Sequence, residues 1–324
     1  MVDRRDTFEE ALKCVVDSGL RITLLIPPLW SLLENATVRA GHHWPDSRIT
    51  GALAFRLREA LLRWAPSDIE RVAMLPNSAR LALSLQDSYH CRLYFTGLYE
   101  PDTTALVRKL LRPHDVFIDI GANIGFYSCV AAALQAEVHA FEPNPSLFHY
   151  IVRSRSLKAF EKMTVTLCAV ASTDGHAEFS LSTNQENTGL SSLLPLDHLM
   201  TAEKIVVSTT TLDAYCVRTG IDHIRLIKID VEGAETDVLA GAMQVLHQVR
   251  PDAIICELSS FDGGSRPANV VDVLDEAGYT PYQIAQNGNG RLTRMLTVNA
   301  PTIWGPPHVC FVRDNLSALG LATG

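Results

Sequence analysis

The sequence predicts a parallel, doubly wound α/β sheet preceded by a mainly helical extension. Three observations predict it. From Asp115 onward, short apolar runs alternate with stretches of helical period, the pattern of strand–helix–strand units that build a parallel sheet. A glycine-containing turn, Gly121 to Gly125, lies where the first run gives way to the first helix. Acidic residues, Asp119, Glu142 and Asp230, stand at the ends of three of the runs.

Near the start of the chain, Thr7 to Val16 has helical spacing, and Gly51 to Trp64 places apolar residues at helical intervals with Arg and Glu between them. Pro66 and Pro76 punctuate the next stretch, and Leu81 to Leu85 reads as a strand. Residues 1–90 are thus a mainly helical extension, an acceptor cover or a dimer contact, and residues 91–324 form the main domain. DVFIDI (115–120) is the first parallel strand, and the segment from Gly121 turns into a helix. EVHAFEP (137–143) is the second strand and Pro145 to Lys158 the second helix. TVTLCAVA (164–171) is a β-branched third strand.

HAEFSLS and KIVVSTTTL read as strands of an inserted hairpin, with a polar loop, Thr183 to Ser192, between them. The parallel pattern resumes with RLIKID (225–230), a helix over VEGAETDVLAGAMQVLHQ, the strand DAIICEL (252–258) and a helix closed by Gly278. Strands near Tyr282 and Val309 finish the sheet.

Composition narrows the function classes. Apolar residues make up 47% of the 324 residues and charged residues 20%, an ordinary globular balance with material for a buried core. The net charge of -8 and the lack of a dense Lys/Arg run argue against a nucleic-acid partner. Arg153 and Arg155 suit the solvated face of a helix. The seven cysteines are dispersed without a CxxC pair, which argues against a disulfide framework or zinc knuckle and for a reducing, cytoplasmic compartment. Leu20 to Leu33, broken by Arg21 and Pro27-Pro28, is too short to span a bilayer. The charged start is not expected to act as a signal peptide.

The turn carries the first chemistry. In open α/β sheets ligands bind beyond the carboxyl ends of the strands, and glycines there let the backbone approach them. A dinucleotide fingerprint needs three glycines, G-x-G-x-x-G. Counted from Gly121, the second position is Asn123 and the third is Phe126. A cofactor without a pyrophosphate fits better, and the Asp119 carboxylate suits an ammonium or sulfonium group. Glu142 can accept hydrogen bonds from ribose hydroxyls, a use that adenosine cofactors share.

The second segment is Lys228-Ile-Asp230-Val-Glu232-Gly233. Lys228, Asp230 and Glu232 share a side if strand geometry continues, so Lys228 can pair with one of the carboxylates. The structural alternative is a salt-bridged strand end that caps the helix at Glu235.

FIDIGANIGFYS, AFEPNP, TTTLDAY, IKIDVEGAETDVLAGA and IICEL, in that order, resemble the FkbM family of S-adenosylmethionine-dependent methyltransferases. The resemblance covers about Gly97 to Glu257, and TGLYEPDTT (96–104) resembles the family's segment before the first strand. It implies the class I methyltransferase fold, Rossmann-like. That fold has about seven strands, mostly parallel, with helices on both faces and a C-terminal antiparallel strand. It implies S-adenosyl-L-methionine as cofactor, with Asp119, Gly121, Ala122, Asn123 and Gly125 around its methionine part. Glu142, with Pro143 and Asn144, would lie at the ribose, Ala169 and Val170 by the adenine, and Asp230 beside the amino group or the acceptor.

The implied reaction is O-methylation of a small-molecule or glycan acceptor by in-line displacement. An alcohol acceptor needs a base. Glu232, Glu257 and Asp230 are the candidates, Glu257 because the apolar strand before it would raise its pKa. A hydrogen-bonded partnership with Lys228 is the structural alternative for Glu257, and Glu100 is a further candidate for a gate or cofactor contact. Asp230, Glu232 and Glu257 offer oxygen ligands to a divalent ion, yet no His or Cys spacing supports a transition metal, and no required metal is expected. Two rival readings stand beside this one: a non-catalytic S-adenosylmethionine-binding module, and a nicotinamide-dependent oxidoreductase. A homodimer through the N-terminal helices is the expected assembly.

Overall fold

In the computed structural model, residues 27–44, 48–64, 69–158, 160–182, 191–193, 203–258, 267–285, 289–295, 308–317 and 319–321 are described. The expected helix over Thr7 to Val16 and the loop over residues 183–190 lie outside them. The chain divides into two compact units: residues 1–76, 82–99 and 185–187, and residues 77–81, 100–184 and 188–324.

The first unit carries helices α1 (Pro27–His43), α2 (Arg48–Trp64) and α3 (Ser88–Thr96). Strands β1 (Glu70–Met74) and β2 (Arg80–Ser84) form a two-stranded sheet. Asp87 caps α3 by accepting from the amides of Tyr89 and His90, and Gly97 closes it in the left-handed conformation. α1 can approach α3 because residue 41 is glycine: a Cβ there would lie 2.0 Å from the Phe95 carbonyl oxygen. The buried Glu34 carboxylate accepts from Trp30 (3.0 Å), Tyr94 (3.0 Å) and Arg71 (2.5 Å), which satisfies its charge.

From residue 100 the second unit continues with α4 (Pro101–Leu110) and is built on an eight-stranded sheet. Its parallel strands are β3 (Val116–Ile120), β4 (Glu137–Phe141), β5 (Met163–Thr166), β9 (Leu226–Ile229) and β10 (Ala253–Glu257). Past β10 come β13 (His308–Val312), β11 (Thr280–Ile284) and β12 (Leu292–Arg294). β13 runs antiparallel to both β10 and β11. The spatial order is β12-β11-β13-β10-β9-β3-β4-β5. The short edge strand β12 brings the total to one above the expected seven.

Strand alternation separates the two faces. Ile118 and Ile120 of β3 and Ile227 and Ile229 of β9 enter a core with Leu212, Val238 and Val270. These last belong to α7 (Leu212–Thr219), α8 (Glu235–Ala240) and α9 (Pro267–Glu276). Asp119 and Lys228 alternate to the other face, where α5 (Phe126–Ala133) lies. Helix α6 (Pro145–Lys158) connects β4 to β5. Strands buried on both faces explain the near-continuous apolar runs in the sequence.

Two expectations change in detail. The third strand divides: after Thr166 the chain turns, and β6 (Ala169–Val170) joins β7 (Gly175–Leu181) and β8 (Glu203–Thr210) in a separate three-stranded sheet. β7 and β8 form the expected antiparallel hairpin. The helix after Asp230 is also shorter than its apolar period suggests. It stops at Ala240, and a π-turn over Val245–Val249 follows. Gly241 is the reason for a close contact there, since a Cβ at that position would lie 2.0 Å from the Ala171 carbonyl oxygen.

Candidate functional site

The glycine turn is tied to the sheet from both sides. The amides of Gly121 and Ala122 donate to the Phe141 carbonyl at 3.1 and 2.9 Å, which anchors the turn on β4. Gly121 has φ +78°, and a Cβ on it would lie 1.8 Å from the Asp230 carbonyl oxygen. The two motifs therefore meet backbone to backbone, and only glycine fits. Gly125, at φ +83°, starts α5 against Ile151.

Asn123 takes a positive φ of 55°, a conformation that Asn tolerates better than most residues. Its amide donates to Glu142 Oε2 at 2.8 Å. Its side-chain Oδ1 is buried without a hydrogen-bond partner.

Glu142, just past β4, is 4% exposed. Its other oxygen accepts from the Asn144 amide at 2.8 Å. Burial raises its carboxyl to about 8, against the pull of the two amides, with Asp119 and Asp230 adding to the rise. Asn144 also caps α6, its Oδ1 accepting from the Ser146 amide at 3.0 Å, with Pro145 in the first helical position. Pro143 between them is partly buried. Ala169 and Val170 are buried in the cores of the small sheet and the main sheet respectively.

Asp119 faces α5, where Ser128 Oγ donates to it at 2.6 Å, and both side chains are buried. Burial pushes its carboxyl up, with Lys228 and Ser128 pulling it down. Asp119 pairs in the ladder with Lys228 of β9. Lys228, 2% exposed, places its ammonium 2.5 Å from Asp230 Oδ2 and 4.8 Å from the centre of the Tyr127 ring. Burial disfavours its charge, but Asp230 first, then Glu100 and Asp119, hold its pKa above the usual lysine value.

Asp230 and Glu257 form a hydrogen-bonded carboxyl pair. Burial would raise Asp230, but Lys228 and the Glu257 hydrogen bond hold it below the ordinary range. Glu257 is pushed well up by burial and by Asp230. Glu257 therefore bonds Asp230, and Lys228 also takes Asp230.

Glu232 has φ 52° and is partly buried, and burial with its Asp230 neighbour raises its carboxyl to about 8. Its backbone is held by Ser192, whose hydroxyl donates to the Glu232 carbonyl at 2.9 Å. Gly233 donates its amide to Glu235 Oε1 at 3.0 Å, so the helix-capping role belongs to Glu235 itself.

Tyr127 and His308, which the sequence did not single out, complete the cluster around Glu100. Tyr127 donates its hydroxyl to Glu100 Oε2 at 2.5 Å. His308 opens β13 opposite Glu257 in the ladder, with Nε2 3.7 Å from Glu100 Oε2 and Nδ1 3.4 Å from Thr103 Oγ1. Glu100 itself sits in the left-handed region at φ 41°. Only the antiparallel closure of the sheet brings His308 beside Glu257.

The family described as the methyltransferase FkbM domain matches residues 119–281, from the glycine turn to β11. The hexuronic acid methyltransferase AglP of Haloferax volcanii is 28% identical over 179 residues, covering 55% of this chain and 69% of its own. The 2-O-methyltransferase NoeI of Sinorhizobium fredii is 29% identical over 189 residues, 52% of this chain and 76% of its own. The 31-O-demethyl-FK506 methyltransferase FkbM of Streptomyces tacrolimicus is 30% identical over 241 residues, 66% of this chain and 90% of its own.

Proposed function

The chain belongs to the FkbM family of methyltransferases, and from that premise we propose that it transfers the methyl group of S-adenosylmethionine to a hydroxyl of a sugar or natural-product acceptor. The acceptor class is supported by the activities in the names of three relatives: a hexuronic acid, a 2-O position and 31-O-demethyl-FK506. The observation that carries the reading is Glu142, whose two oxygens are each fixed by a backbone amide at the end of β4 beside the glycine turn. Each oxygen keeps a further acceptor direction for a ribose hydroxyl.

The residues present fit S-adenosylmethionine. The unpartnered Asn123 Oδ1 is a ready acceptor for an ammonium, and the carboxylates of Asp119 and Asp230 favour a cation. Gly121, Ala122 and Gly125 would shape the turn around the methionine part, with Pro143 and Asn144 beside the ribose. Ala169 and Val170 would act through backbone at the adenine, since their side chains are in the cores. When bound, the cofactor supplies an activated methyl group and a neutral thioether leaving group.

The protein's own work is alignment, water exclusion and proton removal. Lys228 holds Asp230 in one position. Glu232 accepts the acceptor's proton. Its carboxylate makes no hydrogen bond among the described residues, and Ser192 fixes its backbone. Asp230 and Glu257 flank it as the remaining catalytic carboxyls.

The reading includes a reducing cytoplasm, supported by six buried free cysteines among the described residues. It includes no nucleic-acid partner, supported by the net charge of -8. No helix among the described residues is long and apolar enough to cross a membrane.

The test is label transfer from [methyl-14C]S-adenosylmethionine to a panel of hexuronic acids, methyl glycosides and O-demethylated macrolides. Base-stable label on an acceptor oxygen is the expected result. Base-labile label would move the acceptor to a carboxylate, and a protein that does not bind S-adenosylmethionine would overturn the reading.

A further inference from the structure

We propose that Asp230, Glu257 and His308 form a binding site for one hard divalent cation, Mn2+ or Mg2+, at the carboxyl edge of the central sheet. One carboxylate oxygen from each acid and one ring nitrogen of His308 lie within 4.8 Å of one another. They come from three adjacent strand ends, those of β9, β10 and β13, with Glu257 and His308 directly paired in the ladder. Strand ends hold donors more rigidly than loops do. A cation with bonds of about 2.1 Å spans donors up to about 4.2 Å apart, so the set closes on it by small side-chain rotations.

An independent observation points to a missing ligand. His308 Nε2 is sealed from solvent and has no hydrogen-bond partner, the Glu100 carboxylate standing 3.7 Å away, beyond hydrogen-bond reach, while Nδ1 faces Thr103. The side chain as a whole is 13% exposed. A buried nitrogen without a partner is costly and asks for an explanation. With Nδ1 protonated toward the Thr103 hydroxyl, Nε2 keeps a free lone pair, the tautomer a metal-bound imidazole needs.

Lys228 does not fill this role. Its ammonium engages Asp230 Oδ2 and faces the Tyr127 ring, while Glu257 rests on Asp230 and His308 lies near Glu100 and Thr103. Lys228 also stands among five carboxyl groups, those of Glu100, Asp119, Asp230, Glu232 and Glu257. That excess of acid favours a further cation. Two carboxylates with a single imidazole and no thiolate select Mn2+ or Mg2+ over the softer metals. The cation set differs from the oxygen-only set suggested by sequence, with His308 in place of Glu232. The cation would hold and polarise the acceptor oxygen; that role, unlike the binding itself, rests on the methyl-transfer reading.

The test is a titration of the EDTA-stripped full chain with Mn2+, followed by the loss of the free-ion paramagnetic resonance signal. One Mn2+ per chain is expected, displaced by Mg2+, with affinity at least about tenfold weaker in Glu257→Gln and in His308→Asn, a loss of one metal–ligand bond. The bound ion in the unmodified protein should also show the 14N modulation of a coordinated imidazole, a signature that does not depend on any variant folding. No saturable Mn2+ binding, or bound Mn2+ without a nitrogen ligand, would overturn the site. Calorimetry with S-adenosylmethionine on the same samples keeps the two readings apart: normal cofactor binding without Mn2+ binding sinks the cation site alone.

Discussion

Replacing Gly121 by alanine tests the claim that the two motifs meet backbone to backbone. The residue has φ +78°, and the added Cβ would lie 1.8 Å from the Asp230 carbonyl oxygen and 2.8 Å from its carbon. Neither atom can swing away, because both belong to the backbone at the end of β9. The left-handed conformation costs an alanine about 1–2 kcal/mol. Forcing the turn off the strand end adds about 1–3 kcal/mol, the usual cost of overpacking. Gly220 is the control. Its φ is +72°, but nothing lies within 4 Å of its Cβ position, so Gly220→Ala carries only the conformational cost. At roughly 2–4 °C per kcal/mol for a domain of this size, Gly121→Ala should melt lower than Gly220→Ala by roughly 2–12 °C. It should also lose S-adenosylmethionine affinity, which Gly220→Ala keeps. Calorimetric melts and cofactor titrations of the two variants read both quantities. Equal melting points, or a Gly121→Ala protein that binds the cofactor normally, would refute the reasoning.

Three other outcomes rest on the same geometry. Glu142 is raised from 4.5 to about 8 in the ligand-free fold, so its contribution to stability is full below about pH 4.5 and is lost as pH rises through about 8. Melts at pH 5 and pH 8 should therefore show less decline for Glu142→Gln than for the unmodified protein; equal declines would contradict the burial argument. Ser128→Ala removes the hydrogen bond to buried Asp119 and should cost about 1.5–3 kcal/mol in urea unfolding, whereas a neutral effect would mean that Asp119 is satisfied otherwise. Lys228→Met leaves Asp119 and Asp230 buried without their ammonium, and a loss of about 3–5 kcal/mol is expected by the same assay. A gain in stability would show that the carboxyls there are already neutral.

The parallel core was legible because strands buried on both faces write continuous apolar runs, and helices between them write a 3.6-residue period. The runs ending at Asp119, Glu142 and Asp230 are adjacent strands whose carboxyl ends converge, as the alternation of elements requires. Two things were illegible for different reasons. The break after Thr166 has no proline or glycine to mark it, since Leu167 and Cys168 continue the apolar run, and the separation of β6 from β5 is set by pairing with β8. His308 is one of eleven histidines, and its place beside Glu257 depends on antiparallel closure by a strand about fifty residues later, a contact no local pattern encodes. Glu257 was visible as an acidic strand end. Its bond to Asp230 was not, because which of two carboxyls Lys228 engages is decided by side-chain reach across strands.

The most direct test of the central claim is calorimetric titration of the purified chain with S-adenosylmethionine and, separately, with NAD, alongside Glu142→Ala. Binding of S-adenosylmethionine alone, weakened by at least about tenfold when the Glu142 carboxylate is removed, is the predicted result, as expected for the loss of hydrogen bonds to a charged group. Binding of NAD alone would contradict the account, and binding of S-adenosylmethionine unchanged in Glu142→Ala would remove Glu142 from the cofactor site.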